Sequence, residues 1–178
     1  TVGDIEGLPY LEAVRQFGLE RSSDDILFLH MTLIPYLQAS GEIKTKPTQH
    51  SVQKLREIGV QPDILVCRCS EEVDEAARSK IAMFCNVSTD RVFIERDVEH
   101  SIYQVPVMLH EQGLDGVICE HLGLGGTEPD LADWRRMLDV LINPDGQVEI
   151  AVVGKYIALT DSYKSIYEAI AHGGIANR

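Results

Sequence analysis

Short apolar runs separated by amphipathic stretches constrain this chain more than any other feature of its sequence. Residues 25–34 (Asp25 to Ile34) and 63–68 (Asp63 to Arg68) are nearly uninterrupted in hydrophobic side chains, which predicts strands buried on both faces. Residues 91–95 predict a third strand. Helical spacing fills the gaps. It predicts helices over 8–17 (Leu8, Leu11 and Val14 on one face, Pro9 in the first turn, Gly18 ending it), 48–58 (Thr48 as cap, then Val52, Leu55 and Ile58, with Gly59 ending it) and 71–85 (Val73, Ala77, Ile81 and Phe84 inward). A further helix is predicted over 101–112, with Ile102, Val105 and Leu109 apolar and Pro106 in its first turns. Strand and helix alternate, so the fold class is α/β with a parallel sheet and right-handed crossovers.

The stretch from Gly41 to His50 is where an acidic chain concentrates positive charge. Lys44 and Lys46 stand one residue apart, Pro47 fixes a turn, and Thr48 is placed to start a helix whose free N–H groups and positive dipole end face the same small volume. Two readings fit: an anion site suited to polyphosphate, or a solvated lysine-rich turn. No Gly-x-x-x-x-Gly-Lys-Ser/Thr pattern occurs in the chain. In open parallel sheets ligands gather beyond the carboxyl ends of strands, which is where Arg96, Asp97 and Val98 fall after the third strand. Asp4 and Glu6 either complement the dipole of the first helix or serve a ligand, through a ribose hydroxyl or a magnesium ion.

Composition narrows the function classes. A net charge of −12 argues against general affinity for nucleic acid, which needs cationic side chains to displace counterions. No apolar run approaches the roughly 20 residues that span a bilayer, so no membrane role is expected. Cys67, Cys69, Cys85 and Cys119 lack zinc-site spacing. Cys67 and Cys69 fall on one face of a strand, which predicts buried free thiols in a reducing compartment; a catalytic cysteine is the alternative, and no neighbour selects one. Residues 123–129 (Gly123 to Pro129) are read as a linker rather than a phosphate loop, because the full glycine pattern and a preceding strand are both missing. A helix bearing Trp134 follows over 130–141, then a turn at 143–146, a fresh buried strand over 148–154, and a helix over 161–172 ending at Gly173 and Gly174. With no initiator methionine and no signal-peptide pattern, the chain is expected to be a piece of something longer.

The residues also carry a family resemblance. The start Thr1-Val2-Gly3-Asp4-Ile5-Glu6, the run from Gly41 through Lys44-Thr45-Lys46-Pro47-Thr48-Gln49 to Ser51, the run from Gln61 to Arg68, Ser101-Ile102-Tyr103 and Val153-Gly154-Lys155-Tyr156 resemble CTP synthases, in order and along the whole chain. The lysine-threonine-lysine-proline-threonine-glutamine element is specific to that family, and with it the anion-site reading takes precedence. The resemblance implies an ATP-dependent ligase that phosphorylates O4 of UTP and lets ammonia, released from glutamine, displace the phosphate to give CTP. It implies a pyrimidine-nucleotide site for UTP and the feedback inhibitor CTP built from Asp4, Ile5, Glu6, Lys44, Thr45, Lys46, Pro47, Thr48, Gln49 and Lys80, and an ATP contact at Arg96, Asp97 and Val98. By the same resemblance the sheet is of the P-loop NTPase-like amidoligase type and incomplete. Residues 1–122 are the C-terminal part of the amidoligase domain, 123–147 an interdomain linker with one helix, and 148–178 the first βα unit of a class I glutaminase domain. Magnesium, its carboxylate ligands and the catalytic lysines are expected outside this chain, which holds no catalytic or metal residue of its own and is inactive alone. A cytoplasmic homotetramer activated by GTP is implied as well. Two rivals share parts of this pattern: a non-catalytic module that senses pyrimidine nucleotides, and a glutamine-dependent amidoligase of cofactor biosynthesis, which lacks the Lys44–Gln49 element.

Overall fold

A computed structural model describes residues 1–126 and 128–177; Thr127, inside the expected linker, and Arg178 lie outside the described residues. The chain divides into two compact units, residues 1–127 and 128–178.

The first unit is built on three parallel strands in the order β1-β4-β5: β1 (Leu29–Leu33), β4 (Ile64–Cys69) and β5 (Val92–Arg96). The central strand β4 has neighbours on both sides and layers on both faces, and its near-continuous apolar sequence follows from that. Leu65, Cys67 and Cys69 face a core shared with Val52 of α2 (Lys46–Glu57) and Ile81, Ala82 and Cys85 of α3 (Glu75–Cys85). On the opposite face Ile64 and Val66, with Phe93, meet Leu114 and the half-buried Leu109, Val117 and Ile118 of α4 (Val105–Glu111) and α5 (Leu114–His121). The period-2 alternation of a strand thus feeds two separate cores, one on each side of the sheet.

Strand β1 corrects an expectation. It begins at Leu29, not Asp25, because the Asp63 carboxylate takes the N–H of Phe28 (2.7 Å) before the ladder starts. It is buried on one face only: Thr32 is buried, whereas Met31 and Leu33 are both 58% exposed. Helix α1 (Leu8–Leu19) runs through Gly18, so that glycine does not terminate it; a Cβ there would meet Phe28 Cζ at 2.7 Å, and close approach of the ring is its reason. Helix α3 starts at Asp74, whose carboxylate accepts the N–H of Ala77 (2.7 Å), and it turns Ala82 and Cys85 inward while Phe84 is exposed. The expected helix over 101–112 is a capped 3-10 turn, Ile102–Gln104, followed by α4 with Pro106 in its first turn. Gly113, at φ +84°, separates α4 from α5, a helix that periodicity left unassigned.

The second unit contains α6 (Ala132–Ile142), a short 3-10 turn (Thr160–Tyr163) and α7 (Lys164–Asn177). Helix α6 packs on α7 inside this unit, and the division between the compact units falls at 127/128. The strand expected over 148–154 does not form, and Val153 is 94% exposed. A strand needs a neighbour to take its N–H and C=O groups, and the described residues of this unit form helices and turns. Helix α7 also continues through Gly173 and Gly174.

Candidate functional site

Because the three strands run parallel, their carboxyl ends share one edge. Past β1 the chain turns through a small hairpin, β2 (Tyr36–Leu37) against β3 (Glu42–Ile43), with Gly41 in the left-handed region at φ +63°. The hairpin is tied at its base by the Lys44 N–H donating to Pro35 O (2.8 Å) and at the sheet by the Ile34 N–H donating to Arg68 O (2.8 Å). Helix α2 starts at Lys46, so Lys44, Thr45 and Lys46 are delivered to the carboxyl edge by the shortest route available. Past β5, the N–H of Asp97 donates to Cys69 O (2.9 Å) and the Asp97 carboxylate accepts from Arg68 Nε (2.7 Å), which holds Arg96, Asp97 and Val98 at the same edge. The loop then ends at a capping box in which Ser101 accepts the N–H of Tyr103 and Gln104 Oε1 accepts that of Ser101.

Within the basic loop the side chains divide by burial. Lys46 is exposed at the start of α2, and Pro47 occupies the first turn, where its missing N–H costs nothing. Thr45 is the N-cap residue but makes no side-chain cap; its hydroxyl accepts from Gln49 Nε2 (3.1 Å). The start of α2 therefore has no side-chain cap, the condition in which it attracts an anion, and of its first-turn N–H groups that of Lys46 belongs to an exposed residue whereas that of Thr48 belongs to a buried one. Lys44 donates to the Glu42 carboxylate, and this hydrogen bond, with the charge of Lys44 behind it, holds Glu42 below the usual carboxylate range. The pair is exposed and solvent screens it, so the ammonium remains available to a competing anion.

Thr48 is where the site departs from expectation. It does not cap the helix: it sits inside the first turn, wholly buried, with its hydroxyl donating to Leu33 O (3.2 Å) and lying 3.2 Å from Thr32 Oγ1. A side chain so enclosed fixes the loop and presents nothing to a ligand. Asp4, Ile5 and Glu6 lie at the entry to α1, with Asp4 capping a 3-10 turn through its backbone alone, and all three are exposed. Hydrogen bonds and ion pairs among the described residues do not join them to the basic loop. Lys80 is exposed on α3, which packs beside α2.

Arg68 and Thr32 were missed by motif reasoning. Arg68 is the single charged residue of β4 and Thr32 one of two polar residues in β1, each near the carboxyl end of its strand, and that position was their only signal in the sequence. Cys67, Cys69 and Cys85 are buried free thiols; burial pushes the thiols of Cys67 and Cys85 up to about 11, which removes them as nucleophiles. Apolar hollows on the second unit, one of about 440 Å³ lined by Val140, Leu141, Val148 and Ile175 among others, contain no titratable lining residue, so the chemistry is sought at the sheet edge of the first unit.

Among the described residues no group of three His, Cys, Asp or Glu side chains is arranged to hold a metal ion, and no helix is long and apolar enough to cross a membrane. Comparison with known proteins adds an independent line. The family described as CTP synthase N-terminus matches residues 1–124. The chain is 56% identical over 177 residues to a CTP synthase of Paramagnetospirillum magneticum, 55% identical over 178 residues to one of Geobacter metallireducens, and 53% identical over 178 residues to one of Aquifex aeolicus. These alignments cover 99%, 99% and 100% of this chain but 32%, 33% and 33% of the relatives, so it spans about a third of their length. The match places residues 1–124 in an N-terminal region, which corrects the C-terminal label given to that stretch, and it stops short of the residues expected to open a glutaminase domain.

Proposed function

We infer the function from one premise: the chain belongs to the CTP synthase family, through the N-terminal region of that family. On that premise the first unit serves CTP synthesis, and its carboxyl edge is the nucleotide-binding part of an ATP-dependent ligase acting on UTP. The observation that carries this reading is the placement of Lys44, Thr45 and Lys46 at the uncapped start of α2, on the same sheet edge as Arg96–Val98. Two ammoniums, the N–H of Lys46 at the uncapped helix start and the Gln49 amide offer charge-assisted hydrogen bonds of about 1.5–3 kcal/mol each to a triphosphate. Thr45 and Thr48 hold the shape of that cradle from beneath.

In this reading Lys44, Lys46 and Gln49 take the phosphates of UTP or of CTP acting as feedback inhibitor, Asp4, Ile5, Glu6 and Lys80 complete the pyrimidine-nucleotide site, and Arg96, Asp97 and Val98 contact ATP. ATP then phosphorylates O4 of the uracil ring, and ammonia from glutamine adds at C4 and expels phosphate. The described residues gather no carboxylate cluster fit for magnesium, and the Asp97 carboxylate is engaged by Arg68. Magnesium, the phosphoryl-transfer lysines and the glutaminase belong to the rest of such a protein, and the sheet is part of a larger one of the P-loop NTPase-like amidoligase type. A cytoplasmic homotetramer activated by GTP completes the proposal, and the buried free thiols fit a reducing compartment.

The test is a pair of binding titrations. In a full-length CTP synthase carrying this segment, Lys44→Ala is expected to weaken UTP and CTP together by about tenfold or more. Unchanged affinity for both would remove the loop from the site.

A further inference from the structure

The first turn of α2 is tied to the sheet by buried hydroxyls instead of by its cap. Thr48 Oγ1 lies 3.2 Å from Leu33 O and 3.2 Å from Thr32 Oγ1, and Thr32 Oγ1 lies 3.4 Å from Cys67 Sγ. These three contacts fall to two hydroxyls, which carry one proton each. Thr48 donates to Leu33 O and Thr32 donates to Cys67 Sγ, so the Thr32–Thr48 contact shares one of those two protons. The run therefore crosses from β4 through β1 to α2 and ends in the first turn of the helix that carries Lys46 and follows Lys44. Packing alone does not call for this chemistry, since valine has nearly the shape of threonine and would fill both buried positions.

We propose that Thr48 and Thr32 are positioning residues for the nucleotide loop: their hydroxyls lock the start of α2 against the end of β1 and so fix where the two lysines and the Lys46 N–H stand. Thr48 touches no ligand itself. This inference rests on the reading of the loop as a nucleotide site and replaces the direct contact that the family resemblance assigns to Thr48.

The experiment uses a full-length CTP synthase carrying this segment, with UTP, CTP and ATP titrated separately and the thermal midpoint recorded. Thr48→Val is expected to raise the Kd for UTP and for CTP together by about tenfold, the equivalent of one buried hydrogen bond, while the Kd for ATP stays within about twofold. Thr48→Ser, which restores the hydroxyl, is expected to return both pyrimidine nucleotides to within about twofold of the parent. A purely structural role would lower the thermal midpoint of Thr48→Val and leave the affinities of the folded protein unchanged, and that result overturns the proposal. Should Thr48→Val not fold, Thr32→Val is read in its place: it keeps the Thr48–Leu33 bond and is expected to raise both Kd values about threefold, and unchanged values overturn the proposal equally. Lys44→Ala separates the two levels. If it weakens binding while the threonine variants do not, the positioning role fails alone; if it has no effect, the nucleotide reading itself fails.

Discussion

Glu42 and Lys44 form an ion pair at the proposed nucleotide loop. Their ion pair is solvent-exposed, so it orients the ammonium at little cost and yields readily to a stronger anion. Glu42→Gln in the full-length protein is therefore expected to tighten UTP and CTP by up to about fivefold, read by the same titrations, because the competing carboxylate is gone. His30 works in the opposite sense. Burial lowers its pKa below the ordinary 6.5, with Ser51 Oγ 2.9 Å from Nε2. The unfolded chain binds that proton more readily than the folded one, so His30 costs stability as pH falls through about 6.5 and costs nothing above it. Urea midpoints of the chain at pH 7.5 and pH 5.5 should fall further on acidification than those of His30→Gln. Among the thiols, a cysteine-specific reagent at pH 8 is expected to label Cys119, which is partly exposed, before Cys67, Cys69 or Cys85; mass spectrometry of the digested protein reads the order. The sequence made these thiols legible as buried, since Cys67 and Cys69 share a face in a hydrophobic run. It could not show Thr48 as a core residue, because a threonine after proline at the start of a helical pattern reads as a cap, and only the position of β1 turns its hydroxyl inward.

At the scale of elements, the strands that were read correctly are those covered on both faces. Strands β4 and β5 carry their apolar sequence because α2 and α3 lie on one side and α4 and α5 on the other. Strand β1 has the same apolar sequence but only one covered face, and hydrophobicity along a chain does not say which layer reaches it. The run over 148–154 failed as a strand for a related reason: β-propensity describes a fit to a pleated surface, and none is present in its unit. The basic loop was legible as a cluster of charge, whereas the hairpin that aims it was not, because two-residue strands leave no periodic trace. One rim of the sheet is met by a side chain. Gln112, after α4, accepts the N–H of Ile94 with Oε1 (3.0 Å) and donates to Ile94 O with Nε2 (2.8 Å), doing for the outer side of β5 what a neighbouring strand would do. Gln112→Ala is expected to lower stability by about 1 kcal/mol and to speed hydrogen exchange at the Ile94 amide, with the amides of β4 little changed.

As a whole molecule, the chain is an acidic protein with two compact units and large apolar side chains on its surface. Tyr10 and Leu19 of α1 are 76% and 73% exposed, and the open face of β1 adds Leu29, Met31 and Leu33. With about a third of the length of its relatives and no metal-binding cluster among its described residues, the 178-residue chain given ATP, UTP, magnesium and ammonia is expected to form no CTP; nucleotide separation after long incubation checks this, and turnover would mean that the chemistry lies within these residues. The bidentate Gln112 amide has a last consequence, which concerns growth of the sheet. It occupies the outer rim of β5 at Ile94, while β1 at the other rim pairs only with β4. A strand arriving from elsewhere in a longer protein, or from a second molecule in a concentrated solution, meets a stopped end on one side and an open template on the other. Assembly of this sheet therefore has a direction, and association of the isolated chain should start at Leu29–Leu33.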